Sequence, residues 1–371
     1  MEFMVLDKNY EAIAMIDTFT SAIWTVRYDE CGDFELYTPV RLDYLKSMQI
    51  GNYLWNRDSD RLMVIETVEI LTSYDSEGPK LTITGRSLES ILDRRIIVSS
   101  NIFSGTLPAV ISSILSKEVI SPGNNRAIPN FRYKETSDAR ITSIAGLEFT
   151  ARGENVYDII CSLCQQYKIG WRILPYGSGG FEFELYMGVD RSYNQNDVPY
   201  VVFSPSFENL LNSNYIKSYK AYKNAVYAVG TWQEEVTIDS QTTYEEAEVT
   251  AWGYSEDTEP TGLARREIFV DNGGVNDGEQ GGLATSWNKI NKEKGLTELG
   301  QHQTTTAFEG NLEATRQYVY REDFDIGDIV QVANEFNITG TVYISEVVMS
   351  QDANGISITP TFTSTEDETI E

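Results

Sequence analysis

At 371 residues the chain is long enough for two or more domains with cores of their own, and a composition 41% hydrophobic and 12% aromatic excludes a disordered protein. Its 29 basic against 56 acidic residues give a formal net charge of −27, which excludes tight binding to DNA or an anionic membrane through a basic face. No apolar run approaches the roughly 20 residues that cross a bilayer, and the first residues lack the basic stretch and apolar core of a secretory signal.

Residues 1 to 84 read as an antiparallel β module. Met4-Val5-Leu6, Ala12 to Ile16 and Trp24 to Tyr28 are strand-like runs separated by turn chemistry; Asp29 to Asp33 then leads into Phe34 to Thr38, where Phe34 and Leu36 share a face. Tyr53-Leu54-Trp55 and Leu62 to Ile65 flank a charged hairpin tip at Asn56 to Asp60, and Val68 to Leu71 and Leu81 to Thr84 follow across a polar loop at Ser73 to Pro79. Many short strands with small hairpins predict a barrel that removes its edges by closure, a sandwich being the alternative. Ser87 is placed as the N-cap of a short helix carrying Leu88, Ile91 and Leu92 on one face. Asp93, Arg94 and Arg95 end it, the arginines suiting the negative end of the helix dipole.

From about residue 98 the pattern becomes mixed α and β. Leu107, Val110, Ile111, Ile114 and Leu115 recur at helical spacing with Pro108 in the first turn, and Ser121 to Ala139 reads as a polar surface loop. Asn155 opens a second helix with Val156, Ile159, Ile160, Leu163 and Tyr167 as its apolar stripe. Gly170 is expected past its end, before a hairpin of Trp171 to Leu174 and Phe181 to Leu185. Gly177 to Gly180 lacks the Lys-Ser/Thr ending of a phosphate loop.

Val198 to Phe203 leads towards a second β region with strands at Tyr219 to Trp232, Tyr244 to Tyr254, Gln317 to Tyr320, Ile329 to Val332, Thr341 to Ser345 and Ile356 to Phe362. Ser255 to Pro260 and Asn272 to Gly282 are acidic loops, the latter without a calcium-loop pattern. Leu283, Trp287 and Ile290 predict a helix that Gly295 interrupts, and residues 365 to 371 an acidic tail. In Tyr320 to Val332, YREDFDIGDIVQV, Gly327 permits a tight or positive-φ turn, Asp328 can bond the turn's amides, and a β-branched strand follows.

Chemistry-bearing patterns are sparse. Cys31, Cys161 and Cys164 suit a reducing compartment, and the Cys161-to-Cys164 spacing falls on a helix with no second pair. His302 is the only histidine, so a zinc peptidase lacks its ligand pair and a serine triad has no nucleophile elbow around it. No metal, cofactor or catalytic residue is assigned, and no enzyme is expected.

Three segments, in order, carry a resemblance: GRSLESILDRRII at Gly85 to Ile97, RREIFVD at Arg265 to Asp271, and YREDFDIGDIVQV. Together they resemble the tail-hub proteins of long-tailed bacteriophages, the baseplate-hub module that also forms the N-terminal structural part of tail-associated lysins. The resemblance implies a β-rich α+β fold: two antiparallel β-barrel tube-like domains with mixed α/β peripheral domains. Residues 1–97 would form the first tube-like barrel with its terminal helix, 98–205 a mixed peripheral domain, and 206–371 the second barrel with an inserted helical segment. It further implies a homotrimer in the virion's distal tail tip, joining a sixfold tube to a threefold tip. Its partners would be the distal tail-tube protein and other baseplate and tape-measure proteins; DNA would pass without specific binding, and no membrane anchor is expected. Arg86, Asp93, Arg94, Arg95, Arg265, Arg266, Asp325, Gly327 and Asp328 are the structural or interface candidates. Lytic activity, which relatives carry in C-terminal extensions, is not expected. The alternatives are a tail-associated cell-wall hydrolase and a carbohydrate-binding host-recognition module using exposed members of the 22 tyrosines and 6 tryptophans.

Overall fold

Alternating apolar residues build the first region largely as the sequence predicts. β1 (Phe3–Leu6), β2 (Ala12–Ile16), β3 (Ser21–Arg27) and β4 (Asp33–Pro39) lead through α1 (Leu42–Ser47) to β5 (Tyr53–Asn56), β6 (Leu62–Leu71) and β7 (Lys80–Ser87). In β4 every second residue is buried, Phe34 and Leu36 among them. The chain is seen in a computed structural model, which describes residues 1–72, 78–98, 101–238, 241–274, 284–302, 305–312, 317–333 and 339–364. Most of the expected Ser73 to Pro79 loop, the acidic loop beyond residue 274, Leu283 and the 365–371 tail lie outside the described residues.

After β7 the expected helix is a 3₁₀ segment, Leu88–Arg94. Ser87 precedes it but does not cap it, because its hydroxyl instead accepts the Gly32 N–H at 2.8 Å. The middle region runs β8 (Asn101–Gly105), α2 (Leu107–Leu115), β9 (Phe131–Lys134), α3 (Ala139–Thr142), β10 (Leu147–Ala151), α4 (Val156–Gln166), β11 (Gly170–Tyr176) and β12 (Gly180–Tyr186). Thr106 and Asn155 cap α2 and α4 through their side-chain oxygens. The segment expected as loop contains β9, which pairs parallel with β12 and buries Phe131. Lys168, not Gly170, takes the left-handed position after α4, at φ 54°. Ile169 N–H bonds Cys164 O and Lys168 N–H bonds Gln165 O around it, while Gly170 begins β11.

The last region comprises β13 (Val202–Phe203), β14 (Leu210–Ser218), β15 (Ala225–Ile238), β16 (Gln241–Tyr254), β17 (Glu267–Gly274), α5 (Ala284–Leu299), β18 (Thr305–Leu312), β19 (Ile329–Ala333), β20 (Thr339–Asp352) and β21 (Gly355–Ser364). Four expectations are corrected. Tyr219 to Asn224 is not strand, and Gln317 to Tyr320 contributes only an isolated bridge from Tyr320 to Phe324. β15 and β16 do not join the main sheet but form a separate sheet of order β16-β15-β17, covered on one face by α5. Finally, α5 runs through Gly295 unbroken: a Cβ there would come within 2.8 Å of the Ala228 methyl, so glycine lets the helix lie against β15.

The main sheet has 13 strands, β14-β18-β21-β20-β3-β4-β7-β6-β5-β1-β2 with β13 and β19 attached beside β20. Among the described residues no pairing closes any sheet into a barrel. The physical reason lies at β3, whose second edge is taken by β20 with Trp24 opposite Met349, so the first and last regions continue one another. They also share a core in which Trp24, Phe34 and Leu36 pack in one cluster with Phe203, Phe324, Ile344 and Phe362. A second core holds the middle region against the back of β6: Met63 and Ile65 face the first core, Leu62 and Val64 the second. Apolar residues on both faces explain why β6 lacks alternation at its start.

Candidate functional site

The Ile326-Gly327-Asp328 turn is a buried junction between three parts of the chain. Phe324, Ile326 and Asp328 are all buried. Gly327 has φ 85°, and its N–H donates to Ile344 O at 2.8 Å, tying the turn to β20. A Cβ on Gly327 would lie 2.2 Å from Cε2 of Tyr28, and a Cβ on Gly170 would lie equally close to that atom. The buried Tyr28 ring thus occupies a slot that two glycines open, packed edge-on to Tyr186 with centroids 5.3 Å apart. Asp328 fixes the third part: its carboxylate accepts from Val189 N–H at 2.7 Å, Arg191 Nε at 2.8 Å and Asp325 N–H at 3.0 Å. Burial, the nearby charges of Asp60 and Asp328 adding to it, holds the Asp325 carboxyl above the usual range, against the Ile326 amide and Arg321.

Beside this turn lies a chain of charges that sequence reasoning missed. The expected hairpin tip turns inward at its end, where the Arg61 side chain is only 2% exposed. Arg61 donates to Tyr186 Oη at 2.9 Å and lies 3.7 Å from Glu89, whose carboxylate accepts the Ile173 N–H at 3.2 Å. Arg172 bridges Asp60 and Glu184, each at 2.5 Å, and Lys134 reaches Glu184 from β9 at 2.5 Å. Burial would raise Asp60, but the guanidinium charges of Arg61, Arg172 and Arg321 outweigh it and hold the carboxyl low. The arrangement locks the middle region to the main sheet. The only sequence signal was Asp60-Arg61 immediately before the apolar run of β6.

The other candidate residues lie elsewhere. Arg86 grips Glu66 through two nitrogens at 2.8 and 3.0 Å and reaches Asp93 at 3.3 Å, while Asp93 accepts from Asn155 at 2.9 Å. These bonds clamp β6, β7 and the start of α4 within one chain. Arg95 donates to Arg126 O at 2.9 Å, and Arg94 is exposed. Arg265 sits between Glu259 and Glu267, each at 2.6 Å, and Arg266 donates to Tyr219 O at 2.8 Å. The nine candidates therefore form three groups: the β7 end, the start of β17, and the Gly327 turn.

The cysteines are buried and free, and burial pushes the Cys161 and Cys164 thiols up, away from thiolate chemistry. His302 stands 3.9 Å from Glu298 on the rim of α5. Among the described residues no group of three or more His, Cys, Asp or Glu is placed to hold a metal. A cleft of about 420 Å³ separates α4 and β10 from α5 and β17, lined by Asp158, Asp271 and Lys294 among others, and bridged by Gln301 donating to Ser162 at 3.1 Å.

Comparison with known proteins places these features in context. The family model for the Siphovirus ReqiPepy6 Gp37-like protein matches residues 2–362. The 43 kDa tail protein of prophage MuSo2 from Shewanella oneidensis is similar in structure, with a TM-score of 0.53 at 12% identity over 98% of each chain. A tail protein from Neisseria meningitidis MC58 gives 0.51 at 11% identity, over 99% of this chain and 96% of the other. These likenesses are of fold. No curated protein matches the chain.

Proposed function

Since the chain belongs to the family of the Siphovirus ReqiPepy6 Gp37-like protein, we propose that it is a structural protein of a phage tail, and specifically its hub. Three copies form a ring in the distal tail tip that joins the sixfold tube to the threefold tip and surrounds the channel for DNA and the tape-measure protein. Its role is mechanical, and its partners are the distal tail-tube protein and neighbouring baseplate proteins. Residues 1–97 and 206–371 provide the two tube-like units and 98–205 a peripheral one, the β15-β16-β17 sheet with α5 standing outside the main sheet.

One observation supports this reading above the rest: the 13-stranded sheet fuses the first and last regions into one stiff body and leaves β2 and β14 at its ends. Each terminal strand pairs on one side only among the described residues, β2 with β1 and β14 with β18. A free edge is a template for another strand, and an edge meeting a different edge head to tail generates a closed ring when the rotation closes. Ile13 and Met15, exposed on β2, would be covered in such a ring. Arg94 and Arg266, both exposed, are interface candidates placed to reach a neighbour.

Light scattering across a concentration series, followed by imaging of the main peak, tests the proposal. A trimeric ring with an axial channel is the expected result. A monomer that persists at high concentration and does not assemble when tail-tube protein is added would sink it.

A further inference from the structure

The sheet β16-β15-β17 has one face covered by α5 and one face open. Val226, Ala228, Ile268, Val270, Leu296 and Leu299 fill the covered side. On the other side the register brings three aromatic residues into one row, with Tyr227 opposite Trp252 on β16 and opposite Phe269 on β17. Ring centroids are 4.8 Å apart from Tyr227 to Trp252 and 6.4 Å from Tyr227 to Phe269. Phe269 is 63% exposed and Trp252 37%. Packing does not explain an aromatic row on a solvated face.

The rim is polar and held in place. On one side of the row stand Glu267 and Tyr254, both register partners of Ala225; on the other stand Thr250 and Asp271, both partners of Val229. Arg265 lies 4.4 Å above the Trp252 ring and is fixed by Glu259 and Glu267. A flat apolar row with hydroxyl-accepting carboxylates on both sides matches a ligand with apolar C–H faces and hydroxyl edges. Three strands at about 4.8 Å spacing give a platform about 10 Å wide, room for more than one sugar ring. The acidic rim and the net charge of −27 oppose a nucleic acid or an anionic polymer on the same rings.

We propose that this face binds a neutral oligosaccharide, stacking pyranose rings on Phe269, Tyr227 and the uncovered part of Trp252, with Glu267 and Asp271 accepting from sugar hydroxyls. The face lies outside the main sheet, so the proposal stands or falls independently of ring formation.

Calorimetric titration of the full chain with cellohexaose, maltohexaose and chitohexaose tests it. At least one probe is expected to bind saturably, with Kd of about 10 μM to 1 mM. Phe269→Ala and Trp252→Ala should each weaken that binding by about tenfold, the loss of one ring contact. Phe207→Ala, an exposed aromatic in another part of the chain, should leave it unchanged. If Trp252→Ala fails to fold, the more exposed Phe269→Ala decides alone. Any of three results would overturn the proposal: no saturation with all three probes up to about 10 mM, equal weakening by Phe207→Ala, or concentration-dependent self-association that Phe269→Ala abolishes.

Discussion

A single methyl group at residue 327 would have to occupy the space of the Tyr28 ring, and it would also force an L side chain to φ 85°. Gly327→Ala is therefore expected to lose about 3 kcal/mol or more, read as a lower urea midpoint at unchanged slope. Asp29, next to Tyr28, sets a pH dependence. Burial, with the charge of Glu30 adding to it, raises its carboxyl to about 7. In the unfolded chain it loses its proton near pH 3.9, so the folded state holds the extra proton between those values. Its contribution makes stability fall as pH rises from about 4 to about 7 and stay down above that. Asp29→Asn should gain about 4 kcal/mol at pH 8 and equal the parent near pH 4; denaturation curves at the two pH values check it. Asp60 and Glu184, both held low, work in the opposite direction and lose their contribution as pH falls, which is why the comparison with Asp29→Asn is needed. At this scale Gly327 and Asp328 were legible as turn residues from their types alone. Their partners, Tyr28, Val189 and Arg191, were not, because contact across such separations leaves no mark in the local sequence.

Helices α2 and α4 were legible almost to the residue, since a side-chain cap and a 3.6-residue apolar stripe are both local signals. Strands were legible where one face met solvent and less so where partners decided the outcome: β9 reads as polar loop until β12 supplies its edge. Gly295 was misread as a break because propensity disfavours glycine by about 1 kcal/mol, whereas the close approach of β15 favours it. Gly295→Ala is consequently expected to lower stability by about 1–2 kcal/mol despite its better helix propensity, seen as a lower Tm. Lys168 supplies the converse case. It holds a left-handed backbone at the end of α4 without being glycine, and Lys168→Gly is expected to raise stability by about 0.5–1 kcal/mol.

For the whole molecule, β-rich flanks around a mixed middle were legible from strand runs, turn residues and helical stripes, but the joining of β3 to β20 was not. Strand length and alternation say that an edge exists without naming its partner. The net charge of −27 makes copies of the chain repel at low ionic strength. Self-association should therefore strengthen between about 20 mM and about 300 mM salt, and sedimentation at the two ends checks it; weakening would mean that ion pairs across the interface dominate. The pairing of β3 with β20 also orders events during synthesis. Residues near the start of the chain cannot complete their core until residues 339–364 leave the ribosome, whereas the buried members of the middle region's second core all lie between residues 53 and 185. The middle of the chain can thus settle while the flanking strands wait, and the two regions are zipped together only once β20 has emerged to pair with β3. Nascent chains stalled short of β20 would carry an open apolar edge, so the cell meets a partly made copy as a substrate for chaperones and proteases rather than as a building block.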